Sequence, residues 1–276
     1  MGVGHQSNRV LAIIQARYRS TRLPGKILFP LPFSGGKPVL LHICEVLNKS
    51  SLVSNFVIAT SELPENDCIC EFAEQNGFEY YRGDENDVLS RFINIVEQKK
   101  PEIVIRLTAD NPLQDVLFLD KAIQYHLDSE NQYTKTSGMP LGMNFEIVDA
   151  NLLIQMKNFK LDDLDREHVT KYIVDRFEFK KSVFQFPGSS ISHLRCTIDY
   201  PSDYAMMNIL FQLIDMDNNL IVQLGEIEKK YPWLFQINSE NIQIQSLGSL
   251  EEEMNLAKRI FRQYGLNRVE KIINIE

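Results

Sequence analysis

In the first 110 residues of the chain, short continuously apolar segments alternate with longer segments whose apolar residues recur at helical spacing. Four short segments carry continuous apolar or β-branched runs, the pattern of strands that are buried on both faces of a parallel sheet. These segments are residues 10–15, 55–60, 78–81 and 102–108. Three longer segments between them have apolar residues at helical spacing. These are residues 39–47, 65–75 and 87–98.

This alternation predicts the fold class. Strands that alternate with helices of this length imply right-handed crossover connections and a mostly parallel sheet. We therefore expect an α/β protein with a mostly parallel, Rossmann-like sheet that is flanked by helices. In such an open sheet, ligands bind beyond the carboxyl ends of the strands.

The pattern changes after about Tyr133. Glycine and proline at positions 138, 140 and 142 interrupt the chain before an apolar strand at residues 145–148. A helix is expected near residues 151–157. Another is expected after Asp162, a candidate N-cap with Asp165 three residues on.

The remaining segments complete the predicted domain plan. Residues 177–186 look extended, and residues 194–198 predict a return to the sheet. We expect one domain over residues 1–245, with an inserted arm at about 133–190. A C-terminal helical tail is expected over residues 246–276, where residues 251–264 have amphipathic spacing.

Composition narrows the class of ligand. The 276 residues carry a net charge of −8 and a pI near 5.3. An acidic protein is unsuited to a broad nucleic-acid footprint, so we expect small anionic ligands and no nucleic-acid partner. The four cysteines lack paired spacing and are expected to be reduced thiols. The first apolar run is too short for a signal peptide or a membrane span, which predicts a cytoplasmic protein with no membrane partner.

A basic loop follows the first strand. Residues 15–26 read QARYRSTRLPGK and contain Arg17, Arg19, Arg22 and Lys26. Backbone N–H groups and several cations after a buried strand favour a triphosphate site. The spacing matches neither the Walker A loop nor the dinucleotide fingerprint. The alternative is a solvated surface loop whose arginines bind nothing specific.

One short phrase occurs twice. Residues 106–115 read RLTADNPLQD, and residues 195–203 read RCTIDYPSD. Residues two apart on a strand face the same side, so each phrase places an aspartate, Asp110 or Asp199, at the carboxyl tip of a predicted strand. Two such carboxylates predict a Mg²⁺ site, because Mg²⁺ takes one or two carboxylates together with phosphate oxygens and waters. The alternative is that both aspartates are turn residues before proline.

The other charged residues of the two phrases have structural interpretations. Asp115 and Asp203 are each expected to cap the first turn of a helix. Arg106 and Arg195 either pair with these aspartates or contact a ligand, and the pattern leaves both alternatives open.

Several motifs resemble a known family, the cytidylyltransferases that activate acidic sugars. In order they are Gln15-Ala16-Arg17 with STRLPGK at 20–26, Arg82-Gly83 with DVL at 87–89, RLTADNPL at 106–113, REHVT at 166–170, and the phrase at 195–203. The spore-coat-polysaccharide branch is the most similar, and the 3-deoxy-manno-octulosonate and acylneuraminate cytidylyltransferases are more distant. The resemblance spans residues 10–205. Tyr18-Arg19 departs from it, because the family usually has a smaller pair ending in Gly.

The resemblance implies a fold of the nucleotide-diphospho-sugar transferase type and a Mg²⁺-dependent reaction. CTP and an acidic acceptor would give a CMP-linked product and pyrophosphate, for surface polysaccharide or glycoconjugate synthesis. By position, the implied catalytic residues are Lys26, Arg17, Asp110 and Asp199, of which the two aspartates hold the metal. The implied nucleotide-binding residues are Gln15, Ala16, Arg17, Ser20, Arg22, Lys26, Thr60, Ser61, Arg82, Asp87 and Thr108.

The acceptor side follows from the same resemblance. Its implied residues are Glu146, Arg166, Glu167, His168 and Arg195. Residues 166–168 could instead form an ion-paired helix surface, with Glu167 and Lys171 at i,i+4 spacing. The arm at about 133–190 would pair two copies into a homodimer. The acceptor is either a keto-sugar acid or a phosphonate or phosphate, and the extra Arg19 is a hint towards the second.

Two other functions stay open. A glycosyltransferase of related fold would use a nucleotide sugar and an Asp-x-Asp metal motif, which Asp163-Leu164-Asp165 and Asp215-Met216-Asp217 match in spacing. The first triplet falls at a predicted helix start and the second in a polar turn, so neither ends a strand. A non-catalytic nucleotide-binding partner is the other alternative.

Overall fold

The computed structural model describes residues 9–186, 191–241, 254, 255, 257 and 258. The chain divides into two compact units, Met1–Glu240 and Asn241–Glu276. The predicted amphipathic helix of the tail lies almost wholly outside the described residues, and the four described positions at 254, 255, 257 and 258 are helical. The domain boundary at residue 245 therefore stays a prediction.

A seven-stranded sheet forms the centre of the first unit. In chain order the strands are β1 (Val10–Gln15), β2 (Pro30–Leu31), β3 (Lys37–Pro38), β4 (Asn55–Ser61), β5 (Glu79–Gly83), β6 (Ile103–Thr108), β7 (Tyr133–Ser137), β8 (Glu146–Asp149) and β9 (Lys181–Gln185). The central sheet has the order β5-β4-β1-β6-β8-β7-β9, and β2 with β3 form a separate antiparallel pair. Among the described strands of the central sheet, only β8 runs against its neighbours. The predicted mostly parallel α/β class is confirmed.

Helices cover both faces of this sheet. They are α1 (Val39–Lys49), α2 (Asp67–Gln75), α3 (Val88–Lys99), α4 (Val116–Asp128), α5 (Ala150–Gln155), α6 (Asp163–His168), α7 (Lys171–Asp175), α8 (Pro201–Leu213), α9 (Leu220–Lys230) and α10 (Pro232–Gln236). None of the helices in the described ranges is long and apolar enough to cross a membrane.

The two faces of β1 explain why its whole run is apolar. Val10, Ala12 and Ile14 belong to one buried cluster, whereas Leu11 and Ile13 belong to the other. A strand covered on both faces excludes water from every position, so polar residues would lose hydrogen bonds there. The chain becomes polar only where β1 ends, and the basic loop begins at that point.

One predicted strand is wrong. Residues 194–198 form no strand and make only an isolated bridge between Leu141 and Arg195. β6 already has β1 and β8 on its two edges, so no edge beside it is free for another strand. The segment instead crosses the carboxyl end of β6, where the Ile198 N–H donates to the Asp110 carbonyl oxygen.

The predicted arm at about 133–190 is continuous with the core. It supplies β7, β8 and β9 to the central sheet, and the extended segment predicted at 177–186 contains the edge strand β9. Dimerisation through this region stays a prediction.

The helix predicted after Asp162 is also shorter than expected. It begins with the predicted capping box, but α6 ends at His168 because Val169 adopts a positive φ of 55°. Glu167 and Lys171 therefore lie on different helices and do not form the expected i,i+4 pair. Lys171 pairs with Asp175 instead.

Candidate functional site

The candidate site lies at the carboxyl edge of β1 and β6. Gln15 ends β1 beside Thr108, which ends β6. The residue after each of these strands is still hydrogen-bonded to a neighbouring strand. The Ala16 N–H donates to the Ala59 carbonyl oxygen, and the Ala109 N–H donates to the Gln15 carbonyl oxygen. The basic loop and Asp110 are thus fixed side by side at the edge where parallel sheets bind ligands.

The basic loop closes on itself around Gly25. The Gly25 N–H donates to the Tyr18 carbonyl oxygen at 2.9 Å, and the Tyr18 N–H donates to the Asn66 side chain at 2.8 Å. Gly25 has a φ of 73°, and a Cβ there would lie 3.0 Å from the Tyr18 ring. The bulky Tyr18 is therefore accommodated over a glycine, and Arg17 and Arg19 beside it remain exposed.

Lys26 joins the two predicted metal-binding carboxylates. Its Nζ lies 2.6 Å from Asp110 Oδ2 and 2.9 Å from Asp199 Oδ1, and the residue is only 6% exposed. Arg22 adds a contact of 2.9 Å to Asp199. Although residues 194–198 are not a strand, the structure still brings Asp110 and Asp199 together around one positive charge.

A divalent cation fits this donor set. Both carboxylates converge on a point that already carries a cationic group, the Lys26 ammonium. Within the described residues, no group of three or more His, Cys, Asp or Glu side chains is arranged to hold a metal. A Mg²⁺ ion that takes two protein carboxylates and completes its shell with phosphate oxygens and waters needs no larger group.

A buried ion-pair network holds Asp199 in place. Arg195 contacts Asp199 at 2.9 Å and Asp203 at 2.8 Å. Asp203 also accepts from the backbone N–H groups of Asp199 and Tyr200. Burial would raise the pKa of Asp199, but Lys26, Arg22 and Arg195 together outweigh it and hold that pKa below its ordinary value.

The sequence left open whether Arg106 and Arg195 pair with the nearby aspartates or contact a ligand, and the observed ion pairs answer the first part of that question. Arg195 does pair with Asp203, so it supports the site from behind, and an acceptor contact by Arg195 stays a prediction. Arg106 pairs with Glu146 at 2.6 Å and not with Asp115, which caps α4 as expected.

Sequence reasoning missed Tyr200. The Arg22 guanidinium lies over its ring, 4.7 Å from the ring centroid, and the Arg195 guanidinium lies 5.8 Å from the same centroid. The only sequence signal was its position between Asp199 and Pro201. That neighbourhood predicted a turn and carried no indication of contacts with two arginines.

Glu146 is the centre of a second charged group beside the first. It accepts hydrogen bonds from Arg106 at 2.6 Å, Thr170 at 2.9 Å, and the Tyr133 hydroxyl. Burial would raise the pKa of Glu146, but Arg106 and the two hydroxyl donors hold it below its ordinary value. Arg106 also contacts Gln15 at 3.4 Å, which links this group to the end of β1.

A cavity of about 220 Å³ opens next to this group. Three of the buried side-chain atoms that lack a hydrogen-bond partner in the described chain belong to residues lining it: Arg106 Nε, Asn111 Oδ1 and Asn144 Oδ1. Lys135 also lines the cavity and is exposed. Buried polar atoms without partners are costly, so this arrangement suits a polar ligand with both donors and acceptors.

The remaining predicted nucleotide residues lie at the ends of β4 and β5. Thr60 and Ser61 end β4, and Arg82 donates to the Ser61 carbonyl oxygen at 3.1 Å while it pairs with Asp67. Asp87 caps α3. These residues share the carboxyl edge with the basic loop.

The predicted acceptor residues of α6 lie near the start of α3 and near the Glu146 group. Arg166 pairs with Asp87 at 2.6 Å, which ties α6 to the start of α3. Glu167 is exposed, and His168 is partly buried. Burial is the largest cause of a lowered pKa of His168, and Arg106 lies near enough to lower it further.

Three comparisons place the chain among known proteins. The sequence model of a protein family described as "Cytidylyltransferase" matches residues 11–230. The spore coat polysaccharide biosynthesis protein SpsF of Bacillus subtilis (strain 168) is 39% identical over 212 residues, which cover 74% of this chain and 87% of that protein.

Solved structures give the same placement. A cytidylyltransferase from Leptospira borgpetersenii serovar Hardjo-bovis has a TM-score of 0.76 at 29% identity, over 86% of this chain and 99% of that one. A CMP:2-keto-3-deoxy-manno-octonic acid synthetase complexed with CTP has a TM-score of 0.58 at 14% identity, over 74% and 98%. At that identity the second likeness supports the fold alone.

Proposed function

The chain belongs to the cytidylyltransferase family and is a nucleotidyltransferase, and from that premise we propose that it couples CTP to an acidic acceptor. An acceptor oxygen attacks the α-phosphorus, the bond from that phosphorus to the bridging oxygen of the β-phosphate breaks, and pyrophosphate leaves. The observation that carries the proposal is the position of Lys26, the last residue of the basic loop, between Asp110 and Asp199.

The chain's own residues have distinct parts in this reaction. Arg17 and Arg22 bind the phosphates, and Lys26 stabilises the negative charge that grows at the α-phosphate. Asp110 and Asp199 would hold Mg²⁺, which when bound neutralises charge on the phosphate oxygens and the leaving pyrophosphate. Ser20 and Thr108 line the same edge and support the nucleotide.

The acceptor binds in the cavity beside Glu146. Lys135 lines this cavity and offers a positive charge to the acidic group of the acceptor. Asn111 and Asn144 each have a carbonyl oxygen without a partner among the described residues, and these oxygens can accept from an acceptor hydroxyl. A keto-sugar acid or a sugar phosphate supplies such hydroxyls, and a phosphonate without hydroxyls does not, so the cavity favours a hydroxylated acceptor, of which we propose the sugar acid. SpsF, by its name, belongs to spore coat polysaccharide biosynthesis, and we extend a surface-polysaccharide role to this chain.

Homodimer formation through residues 133–190 is part of the proposal. β9 is an edge strand with Val183 exposed, and Phe177 just before it is 96% exposed. An edge strand beside exposed apolar side chains is suited to pairing with another copy.

A pyrophosphate-release assay tests the function. The purified protein is incubated with CTP, Mg²⁺ and panels of sugar acids, phosphonates and sugar phosphates. Release is expected with CTP and a sugar acid, and Asp110→Asn is expected to lower kcat at least about a hundredfold, because one donor to the metal and one partner of Lys26 are lost.

Asp217→Asn is the matched control for that substitution. Asp217 is an exposed carboxylate in the turn after α8 whose partner is Lys49 on the surface, so this variant is expected to keep wild-type kcat. Full activity of Asp110→Asn would contradict the site. Transfer from a nucleotide sugar without CTP turnover would favour the glycosyltransferase alternative, although neither Asp-x-Asp triplet ends a strand.

A further inference from the structure

The turn between α6 and α7 has an unusual backbone conformation. The described residues contain two non-glycine positions with positive φ, Lys100 and Val169. Lys100 follows α3 on the surface in the ordinary left-handed region, with φ 53° and ψ 50°. Val169 has φ 55° and ψ −57°, and the Thr170 N–H donates to the His168 carbonyl oxygen at 2.5 Å. This is the strained form of the γ-turn, which is unfavourable for a β-branched residue.

The local sequence does not require this turn. Neither glycine nor proline occurs at positions 163–175, so the sequence permits one continuous helix there. The structure instead interrupts the helix at Val169, whose side chain is fully buried in the core cluster that contains Leu11 and Ile13. Backbone strain of this kind persists only where the surrounding structure enforces it, and it clusters at functional sites.

The residue after the turn shows what the strained backbone achieves. Thr170 is the N-cap of α7, a position where a threonine hydroxyl commonly accepts from the first turn, yet its side chain makes no capping hydrogen bond. Its hydroxyl instead donates to Glu146 Oε2 at 2.9 Å, and the residue is only 2% exposed. The turn thus directs a buried hydroxyl away from its own helix and onto the Glu146 carboxylate.

The same carboxylate oxygen holds Arg106. Glu146 Oε2 accepts from Arg106 Nη1 at 2.6 Å, and both residues line the cavity of about 220 Å³. The other contact of the guanidinium is a longer one, 3.4 Å from Nη2 to Gln15, and Nε has no partner among the described residues. The orientation of Arg106 in the cavity wall therefore depends mainly on Glu146, which the hydroxyls of Thr170 and Tyr133 hold.

We propose that Thr170 is a positioning residue for the acceptor: its hydroxyl, placed by the strained turn at Val169, fixes Glu146 and through it the guanidinium of Arg106 in the wall of the acceptor cavity. The inference rests on the proposed acceptor site and deepens it, because it assigns part of acceptor affinity to a residue behind that site. A guanidinium that is already oriented loses less conformational freedom when an acidic ligand binds. The effect therefore falls on the acceptor and not on CTP.

The mobility of Arg106 tests the positioning directly. Thr170→Val removes the hydroxyl at nearly constant volume, and Thr170→Ser keeps it. In protein whose arginines carry an NMR-active nitrogen isotope, the Nε–H signal of Arg106 is identified by its absence in Arg106→Lys. We expect a rigid signal in wild type and Thr170→Ser and a mobile one in Thr170→Val. Thr134→Val, which removes another buried threonine hydroxyl, one that contacts His126, is the control and should leave the signal unchanged.

Kinetics test the consequence for the acceptor. The keto-sugar acid probes are 3-deoxy-manno-octulosonate and N-acetylneuraminate, with CTP and Mg²⁺ in the pyrophosphate-release assay. Thr170→Val is expected to raise the KM of the acceptor about tenfold or more, the size of one hydrogen bond to a charged group, and to change the KM of CTP less than about twofold. Thr170→Ser and Thr134→Val are expected to keep both KM values near those of wild type. A substitution that only destabilises the fold does not separate the two values in this way.

The strained turn has a test of its own. Val169→Ala and Val169→Gly both remove the buried side chain, but only glycine adopts positive φ without strain. Val169→Gly is therefore expected to keep the Arg106 signal and the acceptor KM closer to wild type than Val169→Ala does, although alanine is the better helix former. Circular dichroism and thermal melting verify that each variant is folded. An alanine variant that matches or exceeds the glycine variant contradicts the role of the turn.

The outcomes distinguish this inference from the proposed function. A folded Thr170→Val protein with a rigid Arg106 signal overturns the inference, and so does a mobile signal with an unchanged acceptor KM. An equal rise of both KM values also overturns it, because the effect would then not be specific to the acceptor. If wild type turns over neither keto-sugar acid, the proposed reaction fails for this acceptor class. The NMR comparison then decides the positioning alone, with a mobile signal in Thr170→Val supporting it and a rigid one refuting it.

Discussion

The Lys26 ammonium lies where a divalent cation would contact both Asp110 and Asp199. Two cations cannot share that position, because like charges a few ångströms apart repel strongly in a water-poor site. Lys26 would therefore leave at least one carboxylate when a metal binds there, and in the proposed reaction the α-phosphate is the anion that would receive it. In the protein without nucleotide, the lysine also offsets the repulsion between the two carboxylates.

Lys26→Met tests this competition. The variant is expected to bind Mn²⁺ about tenfold more tightly than wild type without nucleotide, because a competing positive charge is gone. Its kcat is expected to fall by roughly 10²–10³-fold, since the group that we propose to stabilise the transition state is lost. Electron paramagnetic resonance of free Mn²⁺ measures the binding. Lys37→Met, at a surface lysine paired with Glu45, is the control, and unchanged Mn²⁺ affinity in Lys26→Met would contradict the competition.

Among the elements, the connection between β7 and β8 supports the segment that carries Asp199. Gly142 has a φ of 97°, and a Cβ there would lie 2.7 Å from the Cys196 carbonyl oxygen and 2.8 Å from the Thr197 nitrogen. Leu141 on one side exchanges hydrogen bonds with residues 194 and 196. The turn and the segment after it are thus packed backbone against backbone.

Gly142→Ala is expected to lower the free energy of unfolding more than Gly77→Ala. Both glycines have positive φ, which costs an alanine about 1–2 kcal/mol. A Cβ on Gly77 would meet no atom of the described residues within 4 Å, whereas a Cβ on Gly142 would meet backbone that cannot move cheaply. The extra cost at Gly142 is about 1–3 kcal/mol. Urea unfolding of both variants measures the difference, and equal losses would contradict the packing argument.

The elements also show what the sequence could predict. Continuous apolar runs identified β1, β4 and β6, because a strand covered on both faces leaves a signal that is local in sequence. Residues 194–198 carry a strand-like pattern yet form no strand. They lie beside β6, whose two sides are already paired with β1 and β8, and no local pattern records that. The partner of Arg106 was missed for a related reason. Glu146 reaches it through the register of β6 against β8, 40 residues away.

At the scale of the whole molecule, the charge at the carboxyl edge of the sheet differs from that of the chain as a whole. The carboxyl edge collects the basic loop and the paired aspartates, although the chain as a whole has a net charge of −8. An anionic ligand is therefore attracted to one edge of an otherwise acidic protein. A buried histidine, His126, lies in the core between α4 and β7 and has no place in the proposed reaction.

His126 is expected to make the fold sensitive to acid. Its Nδ1 lies 2.7 Å from the Thr134 hydroxyl, and burial lowers its pKa to about 4, against a smaller opposing effect of Asp149. The unfolded chain has a histidine pKa near 6.5, so between about pH 6.5 and pH 4 it binds a proton that the folded protein does not. Stability contributed by neutral His126 is therefore complete above about pH 6.5 and is lost as the pH falls towards 4.

The size of that loss is on the order of 2–4 kcal/mol, at 1.36 kcal/mol for each unit of pKa difference. His126→Gln removes the titrating group and keeps a side chain that can hydrogen-bond to Thr134. Its free energy of unfolding is expected to decline less than that of wild type between pH 7 and pH 4.5 in urea titrations. His193→Gln, at an exposed histidine paired with Glu228, serves as the control and should retain the wild-type pH profile. Parallel profiles for wild type and His126→Gln would show that another group causes the acid sensitivity.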